Sequence, residues 1–354
     1  MANINDYLDW RGDIPISKEF PFNEVDNMIL SRFSYLIFDK IIMEEKETIE
    51  SIYKKMRDFK NEEFNYNGDK ELITKLGQST RFKDMVVTDY VKNNDSEIEK
   101  QFSAITVHNS KKEMYISFFG TDKSIVGWKE DFNISFMENI PSQTEGVEYT
   151  KMIAEKYPRE RIRIGGHSKG GNIAIYAAIT VPEKIQKRII DVVNYDGPGF
   201  NMKKVNENKG KDILNKIFTF IPQESIFGRI MEHAEKCEVI LSIEKGVYQH
   251  DIYSWQVLRD KMVRAESLTD ESNRINNKIT NWLENTTPDQ RKIFVDSVFE
   301  IFYSTEANNF EEINWIKNVP TIISAYKGLS PEDRKTLIEM ITLFGKYFIA
   351  KPNK

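Results

Sequence analysis

The run Gly166-His167-Ser168-Lys169-Gly170-Gly171 has the form Gly-x-Ser-x-Gly and is the strongest chemical signal in the sequence. A predicted strand over residues 161–164 leads into it, and a predicted helix rich in small residues, 172–181, leads out of it. This strand–turn–helix context is typical of a nucleophile elbow, where a serine occupies a strained turn. Gly166 and Gly170 fit such a turn because a Cβ there would collide with the neighbouring strand and helix. We therefore predict Ser168 as the nucleophile of an acyl transfer.

A serine nucleophile needs a general base, and the chain holds only four histidines: His108, His167, His233 and His250. In elbow-type sites the acid follows the serine along the chain and the histidine comes last, which leaves His233 and His250. His250 follows the last predicted strand, 238–243, by a short loop, whereas His233 precedes that strand and is interpreted as a packing residue. We predict His250 as the base and expect His167 to pack against the sheet.

Two carboxylates are candidates for the third member of the triad. The predicted strand 216–221 ends in Pro222-Gln223-Glu224-Ser225, and the loop after this strand is the usual place for the acid, so Glu224 is favoured. Asp196, at the end of the preceding predicted strand, is the alternative.

An oxyanion hole needs two N–H donors. We predict the backbone N–H of Lys169 as one of them, because it follows the nucleophile and begins the helix. The second is expected from a loop after an earlier strand. The run Phe118-Phe119-Gly120-Thr121-Asp122 fits, with the N–H of Thr121 as the donor and its hydroxyl as a further aid.

The elements that must position these residues follow an α/β pattern. Residues 1–22 are predicted as an irregular arm and 23–76 as helices, and both should pack on a core of alternating strands and helices. Beyond about residue 256 the strand pattern stops, and helix-opening patterns begin at Thr287 and Ser330. We thus predict an N-terminal region (1–80), an α/β core (81–260) and an all-helical extension (261–354). The core strands are predicted at 85–91, 104–108, 114–119, 161–164, 189–195, 216–221 and 238–243.

Two C-terminal helices have apolar faces. Phe294, Val298, Ile301 and Phe302 share one face, and a second lies within 337–348. These faces are interpreted as packing surfaces, with partner binding by the first as the alternative.

Composition excludes several other classes of protein. The chain has 354 residues, 50 Lys+Arg against 55 Asp+Glu, and a single cysteine. One cysteine forms no internal disulfide and no cysteine-rich metal site, and no cofactor or metal is expected. The mildly acidic balance, without a basic block, argues against a nucleic-acid partner. With no apolar run long enough for a spanning helix and no apolar leader at the N-terminus, we expect a cytoplasmic protein.

On these residues the sequence resembles the class 3 lipases of the α/β-hydrolase superfamily. The matching pieces are Phe-x-Gly-Thr-Asp (118–122), Trp128, Asp131 and Gly-His-Ser-x-Gly-Gly (166–171). The resemblance implies an α/β-hydrolase fold with a mostly parallel sheet, with Ser168 as nucleophile, His250 as base, and Thr121 and Lys169 as oxyanion donors.

The chain is most similar to a bacterial branch of lipase-like hydrolases. The shared segments lie within residues 1–260: 7–13, 21–27, 222–225, 249–251 and Trp255. Class 3 lipases usually have Arg at the position of Phe119 and Leu at that of Lys169. The branch has Asp where this chain has Glu224.

Together these features predict a serine hydrolase that cleaves carboxylic esters through an acyl-enzyme. The expected partner is a small-molecule or lipid ester; contact with a membrane surface stays open, without a spanning helix. The alternative is a non-catalytic binding or scaffold protein built on a hydrolase fold, because a fold does not determine a function.

Overall fold

The computed structural model describes residues 2–110, 112–122, 124–200 and 211–305, with single positions between 324 and 338. Within these residues, eight strands form one sheet and follow one another across it in chain order. The strands are β1 Lys46–Thr48, β2 Val86–Asp95, β3 Lys100–Ser110, β4 Glu113–Phe118, β5 Arg161–His167, β6 Ile189–Tyr195, β7 Ile217–Pro222 and β8 Cys237–Ile240.

The sheet is antiparallel at its first edge and parallel over the rest. β1 pairs antiparallel with β2, and β3 with β4, whereas each pair from β4 to β8 is parallel. Parallel neighbours need long crossovers, which the helical segments between these strands supply. The helices are α1 Ile4–Arg11, α2 Glu24–Phe33, α3 Ile49–Met56, α4 Asp69–Gln78, α5 Ile125–Asn133, α6 Pro141–Lys156, α7 Lys169–Thr180, α8 Glu183–Gln186, α9 Lys211–Leu214, α10 Asp270–Asn285 and α11 Pro288–Tyr303.

Both faces of the sheet are covered, as buried parallel strands require. Successive side chains of β4 alternate between two apolar clusters. Tyr115 lies in the cluster that contains Met28 and Ile29 of α2, whereas Met114 lies with Ile173 of α7 in the other. Helices α2 and α7 therefore cover opposite faces. This arrangement confirms the predicted α/β fold class.

The register of the parallel strands brings their carboxyl ends to one edge. His167, the last residue of β5, pairs with Tyr195, the last residue of β6, and Tyr195 pairs with Phe220 of β7. Ser168 and Asp196 follow directly, so both leave the sheet at this edge.

Shorter elements complete the chain. β9 Val257–Leu258 and β10 Lys261–Met262 form a small antiparallel pair. Short 3₁₀ turns lie at Phe38–Lys40, Asn61–Glu63, Phe227–Arg229, Gly246–His250 and Ile252–Ser254.

The chain divides into two compact units. The first comprises residues 1–93, 102–120 and 142–273, so the N-terminal helices belong to the same unit as most of the sheet. The second comprises residues 94–101, 121–141 and 274–354.

The second unit has its own apolar cluster, formed by α5 and α11. Ile125 of α5 packs with Phe294 and Phe299 of α11, and Val298 and Phe302 are partly buried against this cluster. The largely buried ammonium of Lys129 binds Asp296 at 3.0 Å and Glu99 at 2.7 Å. The apolar face of α11 is thus a packing surface within its unit.

Several expectations from the sequence need correction or fall outside the described residues. The segment predicted as helices over 23–76 also contains the strand β1. The arm predicted over 1–22 contains α1, which Asn3 caps by accepting from the N–H of Asn5 at 2.8 Å. The segment predicted to be helical from 261 begins with β10. The apolar face predicted within 337–348 lies almost entirely outside the described residues.

Among the residues that the structure describes, none of the helices combines the length and apolar character needed to cross a bilayer.

Candidate active site

Ser168 lies in a one-residue turn between β5 and α7. Its φ is 58° and its ψ is −134°, a conformation that L residues rarely adopt. The N–H of Ser168 donates to the carbonyl of Tyr195 at 2.8 Å, which holds the turn against the end of β6. Strained backbone of this kind persists only where the surrounding structure enforces it, and it is common at functional sites.

Close backbone packing explains why glycines stand on either side of the turn. A Cβ on Gly166 would lie 2.3 Å from the carbonyl carbon of Gly170, and a Cβ on Gly170 would lie 2.2 Å from the carbonyl oxygen of Phe118. A Cβ on Gly120 would lie 2.6 Å from the carbonyl oxygen of His167. Strands β4 and β5 and the start of α7 can therefore approach this closely only with glycine at these positions.

Helix α7 begins directly after the serine. Ser168 is the N-cap residue, and its carbonyl accepts the N–H of Gly171 at 2.9 Å. The N-terminal end of a helix carries a partial positive charge that stabilises a developing anion. Lys169 is the first residue of this helix, and its side chain is only 1% exposed. A lysine at this position is therefore part of the interior rather than of the surface.

Asp196 and His250 form the short hydrogen bond of the site. The Nδ1 atom of His250 lies 2.6 Å from Oδ2 of Asp196. The carboxylate is 1% exposed, whereas the imidazole is 21% exposed. A buried carboxylate beside Nδ1 holds the proton on that nitrogen and leaves Nε2 as the acceptor.

Further donors hold the Asp196 carboxylate in place. Its Oδ1 atom accepts the hydroxyl of Ser225 at 2.5 Å and the N–H of Gly228 at 3.1 Å. The backbone of Asp196 has a φ of 53°, so the chain turns sharply where it leaves β6. The side chain of Asn194 closes this turn by accepting the N–H of Gly197 at 2.8 Å.

Glu224, the acid favoured from the sequence, is directed elsewhere. Its carboxylate accepts the N–H of Gly246, and its own N–H donates to the side chain of Gln249 at 2.9 Å. Both contacts tie the loop after β7 to the 3₁₀ turn that carries His250. The structure thus brings Asp196, and not Glu224, to the imidazole.

His167, the last residue of β5, supports the backbone of His250. Its Nε2–H donates to the carbonyl of His250 at 2.7 Å, and the two ring centroids lie 4.4 Å apart. Burial lowers the pKa of His167 well below its ordinary value, and the nearby His250 and Arg32 lower it further. The ring is therefore neutral, which leaves Nδ1 as an acceptor.

Tyr35, in the loop after α2, supplies the donor for Nδ1 of His167. Its hydroxyl lies 3.0 Å from Nδ1 of His167 and 3.1 Å from the His167 carbonyl oxygen. The guanidinium of Arg32 stacks 4.4 Å from the Tyr35 ring and binds the buried Asp69 at 2.7 Å. No local sequence pattern indicates Tyr35, because it lies 132 residues from His167 along the chain.

Thr121 follows Gly120 in the loop after β4. Its hydroxyl donates to Oδ2 of Asp131 at 2.5 Å, so the side chain is held by α5 within the second unit. Phe119 is largely buried, and its N–H donates to the carbonyl of Ser103 at 3.0 Å. The backbone N–H of Thr121 stays the predicted second oxyanion donor.

The two remaining histidines have bonded, largely buried rings. His108 on β3 lies 2.8 Å from Glu160 and 3.1 Å from the Thr88 hydroxyl. His233 lies 2.9 Å from Glu235 and 2.8 Å from the carbonyl of Gly228. Burial opposes the charge on His233, but its bonds to Cys237 and Glu235 outweigh this and raise its pKa to about 10. Among the described residues, no cluster of potential metal ligands is present.

The raised pKa of His233 predicts a difference in stability on the alkaline side. Between about pH 6.5 and 10 the folded state keeps a proton on His233 that the unfolded state releases, so the free energy of unfolding falls as the pH rises. The His233→Gln variant should lose this contribution. Urea denaturation of both proteins at pH 7 and pH 10 tests this: the variant should be destabilised more at the lower pH. An equal difference at both values would contradict it.

A mostly parallel sheet with a serine at the elbow between β5 and α7, and helices on both faces, defines an α/β-hydrolase fold. A family model described as Mbeg1-like matches residues 76–300. Because the match covers more than half of the chain, the protein belongs to the Mbeg1-like family.

Solved structures of fungal lipases are similar to the chain at low identity. The Lip2 lipase from Yarrowia lipolytica is 12% identical, with coverage of 75% of this chain and 89% of the lipase and a TM-score of 0.38. A lipase from Rhizopus microsporus var. chinensis is 12% identical, with coverage of 63% of this chain and 76% of the lipase and a TM-score of 0.34. The Rhizomucor miehei triacylglyceride lipase is 16% identical, with coverage of 45% of this chain and 67% of the lipase and a TM-score of 0.34. No curated protein matches the chain.

Proposed function

We propose that the protein is a serine hydrolase that cleaves carboxylic esters through an acyl-enzyme, with Ser168, His250 and Asp196 as its triad. The observation that carries this proposal is the 2.6 Å bond between His250 Nδ1 and the buried Asp196. It lies at the sheet edge where the strained elbow places Ser168. A buried carboxylate that orients an imidazole, together with a serine at an elbow, is the set of groups that activates a hydroxyl for attack.

The first half of the reaction forms the acyl-enzyme. The Oγ atom of Ser168 attacks the ester carbonyl carbon while Nε2 of His250 takes the hydroxyl proton. Asp196 keeps the other ring proton on Nδ1 and stabilises the imidazolium that results. The tetrahedral oxyanion forms at the N-terminus of α7, where the N–H of Lys169 would donate to it, with the N–H of Thr121 as the second donor. His250 then protonates the leaving alcohol as the carbon–oxygen bond breaks.

The second half reverses these roles with water. His250 takes a proton from a water molecule that attacks the acyl carbonyl, and the same donors stabilise the second oxyanion. The collapse of this intermediate releases the carboxylic acid and returns the proton to Ser168.

Asp196 is proposed as the acid in place of Glu224 because the carboxylate must reach Nδ1. Glu224 has a different use, since its carboxylate and N–H join the loop after β7 to the turn that carries His250. We propose that it anchors this turn.

A series of p-nitrophenyl esters of increasing acyl length, with matched anilides, tests the reaction class. We expect hydrolysis of at least one ester, with kcat/KM at a maximum at one chain length and much slower turnover of the anilide with the same acyl group. A protein that turns over no ester in the series would instead support the non-catalytic binding or scaffold function.

A further inference from the structure

His233 lies in the segment between β7 and β8, and its side chain is largely buried with both ring nitrogens bonded. Nε2 lies 2.8 Å from the carbonyl oxygen of Gly228, and Nδ1 lies 2.9 Å from Oε1 of Glu235. A carbonyl and a carboxylate only accept hydrogen bonds, so each ring nitrogen must donate. The geometry therefore makes His233 an imidazolium that donates to both of these oxygen atoms at once.

One of these partners is the residue that holds Asp196. Gly228 accepts from His233 with its carbonyl and donates its N–H to Oδ1 of Asp196 at 3.1 Å. The backbone approaches the carboxylate so closely that a Cβ on Gly228 would lie 2.4 Å from the same oxygen. Glycine has the greatest backbone freedom of any residue. The N–H of Gly228 therefore keeps its direction toward Asp196 only if another contact fixes the conformation of the turn. The bond to His233 is such a contact.

The other partner ties His233 to the sheet. Glu235 also accepts the hydroxyl of Thr219, a buried residue of β7 that pairs with Asn194 of β6. The imidazolium thus connects a rigid strand to the 3₁₀ turn Phe227–Arg229. Phe227 in that turn packs on the His250 ring, with centroids 4.4 Å apart.

We propose that His233 is a positioning residue, which orients the Asp196 carboxylate toward His250 through Gly228. This inference rests on the proposed function, because it assigns a support to the proposed acid. His233 donates to Gly228, Gly228 donates to Asp196, and Asp196 accepts from His250. A shift of the bond between His233 and Gly228 therefore displaces the bond between Asp196 and His250. Misplacement of a reacting group by about 1 Å costs on the order of 10²-fold in rate.

Three variants separate positioning from general stability. His233→Leu removes both donors, and His233→Gln keeps an N–H that can reach Gly228. His108→Leu is the matched control, since His108 is a similarly bonded histidine on β3 whose partners are Glu160, directly before β5, and Thr88 of β2. Circular dichroism and thermal denaturation establish the folded fraction of each protein.

Two readouts are measured on each folded variant. One is kcat and KM for an ester substrate. The other is the downfield proton NMR signal of the short bond between His250 and Asp196, assigned by its absence in Asp196→Asn. We expect His233→Leu to shift or broaden this signal and to lower kcat by about tenfold to a hundredfold with little change in KM. His233→Gln should recover part of the NMR signal and part of kcat, and His108→Leu should change neither the signal nor kcat.

A double-mutant cycle provides the decisive comparison. If His233 acts through Asp196, adding His233→Leu to Asp196→Asn lowers kcat no further. An unchanged NMR signal and a kcat within twofold of wild type in His233→Leu would overturn the inference, as would an additive loss in the double variant. Absence of ester hydrolysis by the wild type, with the signal still dependent on His233, would refute the proposed function and leave the positioning role supported.

Discussion

Ser168→Ala is expected to lower kcat for ester hydrolysis by about 10⁴-fold to 10⁶-fold, with a much smaller change in KM. Alanine keeps the Cβ and the backbone turn but removes the Oγ atom that is proposed to form the bond to the acyl carbon. The residual rate would come from the oxyanion donors and from substrate binding alone. Steady-state kinetics on the preferred ester of the acyl series measures the effect.

The control for this variant is its fold. Because Ser168 already adopts a positive φ with a Cβ present, alanine at this position introduces no new backbone strain. The melting temperature of the variant should therefore stay close to that of the wild type. A folded Ser168→Ala protein with a kcat within tenfold of wild type would show that another group forms the acyl-enzyme.

Asp196→Asn is expected to lower kcat by about 10⁴-fold. The amide keeps the size of the side chain, and its oxygen can still accept from Ser225 and Gly228. Its NH₂ group would then face Nδ1 of His250, which favours the tautomer with the proton on Nε2. A protonated Nε2 cannot take the proton of Ser168, so the nucleophile is no longer activated.

Glu224→Gln is the matched comparison for this prediction. It also converts one carboxylate into an amide, but the oxygen that replaces the carboxylate can still accept the N–H of Gly246. We expect a loss of about tenfold or less, because the anchor of the His250 turn is weakened rather than removed. The reverse order of effects, with Glu224→Gln the more damaging, would restore Glu224 as the acid.

The elbow could be predicted because its determinants are local. Six consecutive residues, 166–171, contain the glycines that close packing requires, and a strand and a helix flank them. Strand β6 is predicted and observed over the same residues, 189–195, since only Asp191 and Asn194 interrupt its apolar residues. Chain order favours His250 as the base, and the structure places this residue beside a buried carboxylate.

The choice of acid could not be predicted in the same way. Asp196 and Glu224 both follow strands of the parallel sheet, and sequence spacing does not tell which of them meets the imidazole. The choice depends on the sharp turn at Asp196, with its positive φ, and on a bond between residues 54 positions apart. The supports Gly228 and Tyr35 also depend on tertiary contacts that leave no local pattern.

The end of the last strand shows a similar limit. The apolar run 238–243 predicts a longer strand, but β8 ends at Ile240. Beyond it, the N–H of Leu241 donates to Val263 and that of Ile243 to Ser254, both at 2.9 Å. The chain therefore leaves β7 for partners further along the sequence, among them Val263, which directly follows β10. Hydrophobicity does not specify which neighbour a strand residue pairs with.

Covalent capture of the nucleophile is the most direct test of whether Ser168 is the residue that is acylated. The wild-type protein is treated with a fluorophosphonate ester, and the intact mass and the peptide map are measured before and after treatment. We predict a single phosphonyl adduct, located on Ser168, and no adduct in Ser168→Ala. No adduct on the folded wild type, or undiminished labelling of Ser168→Ala, would contradict a serine hydrolase that acts through Ser168.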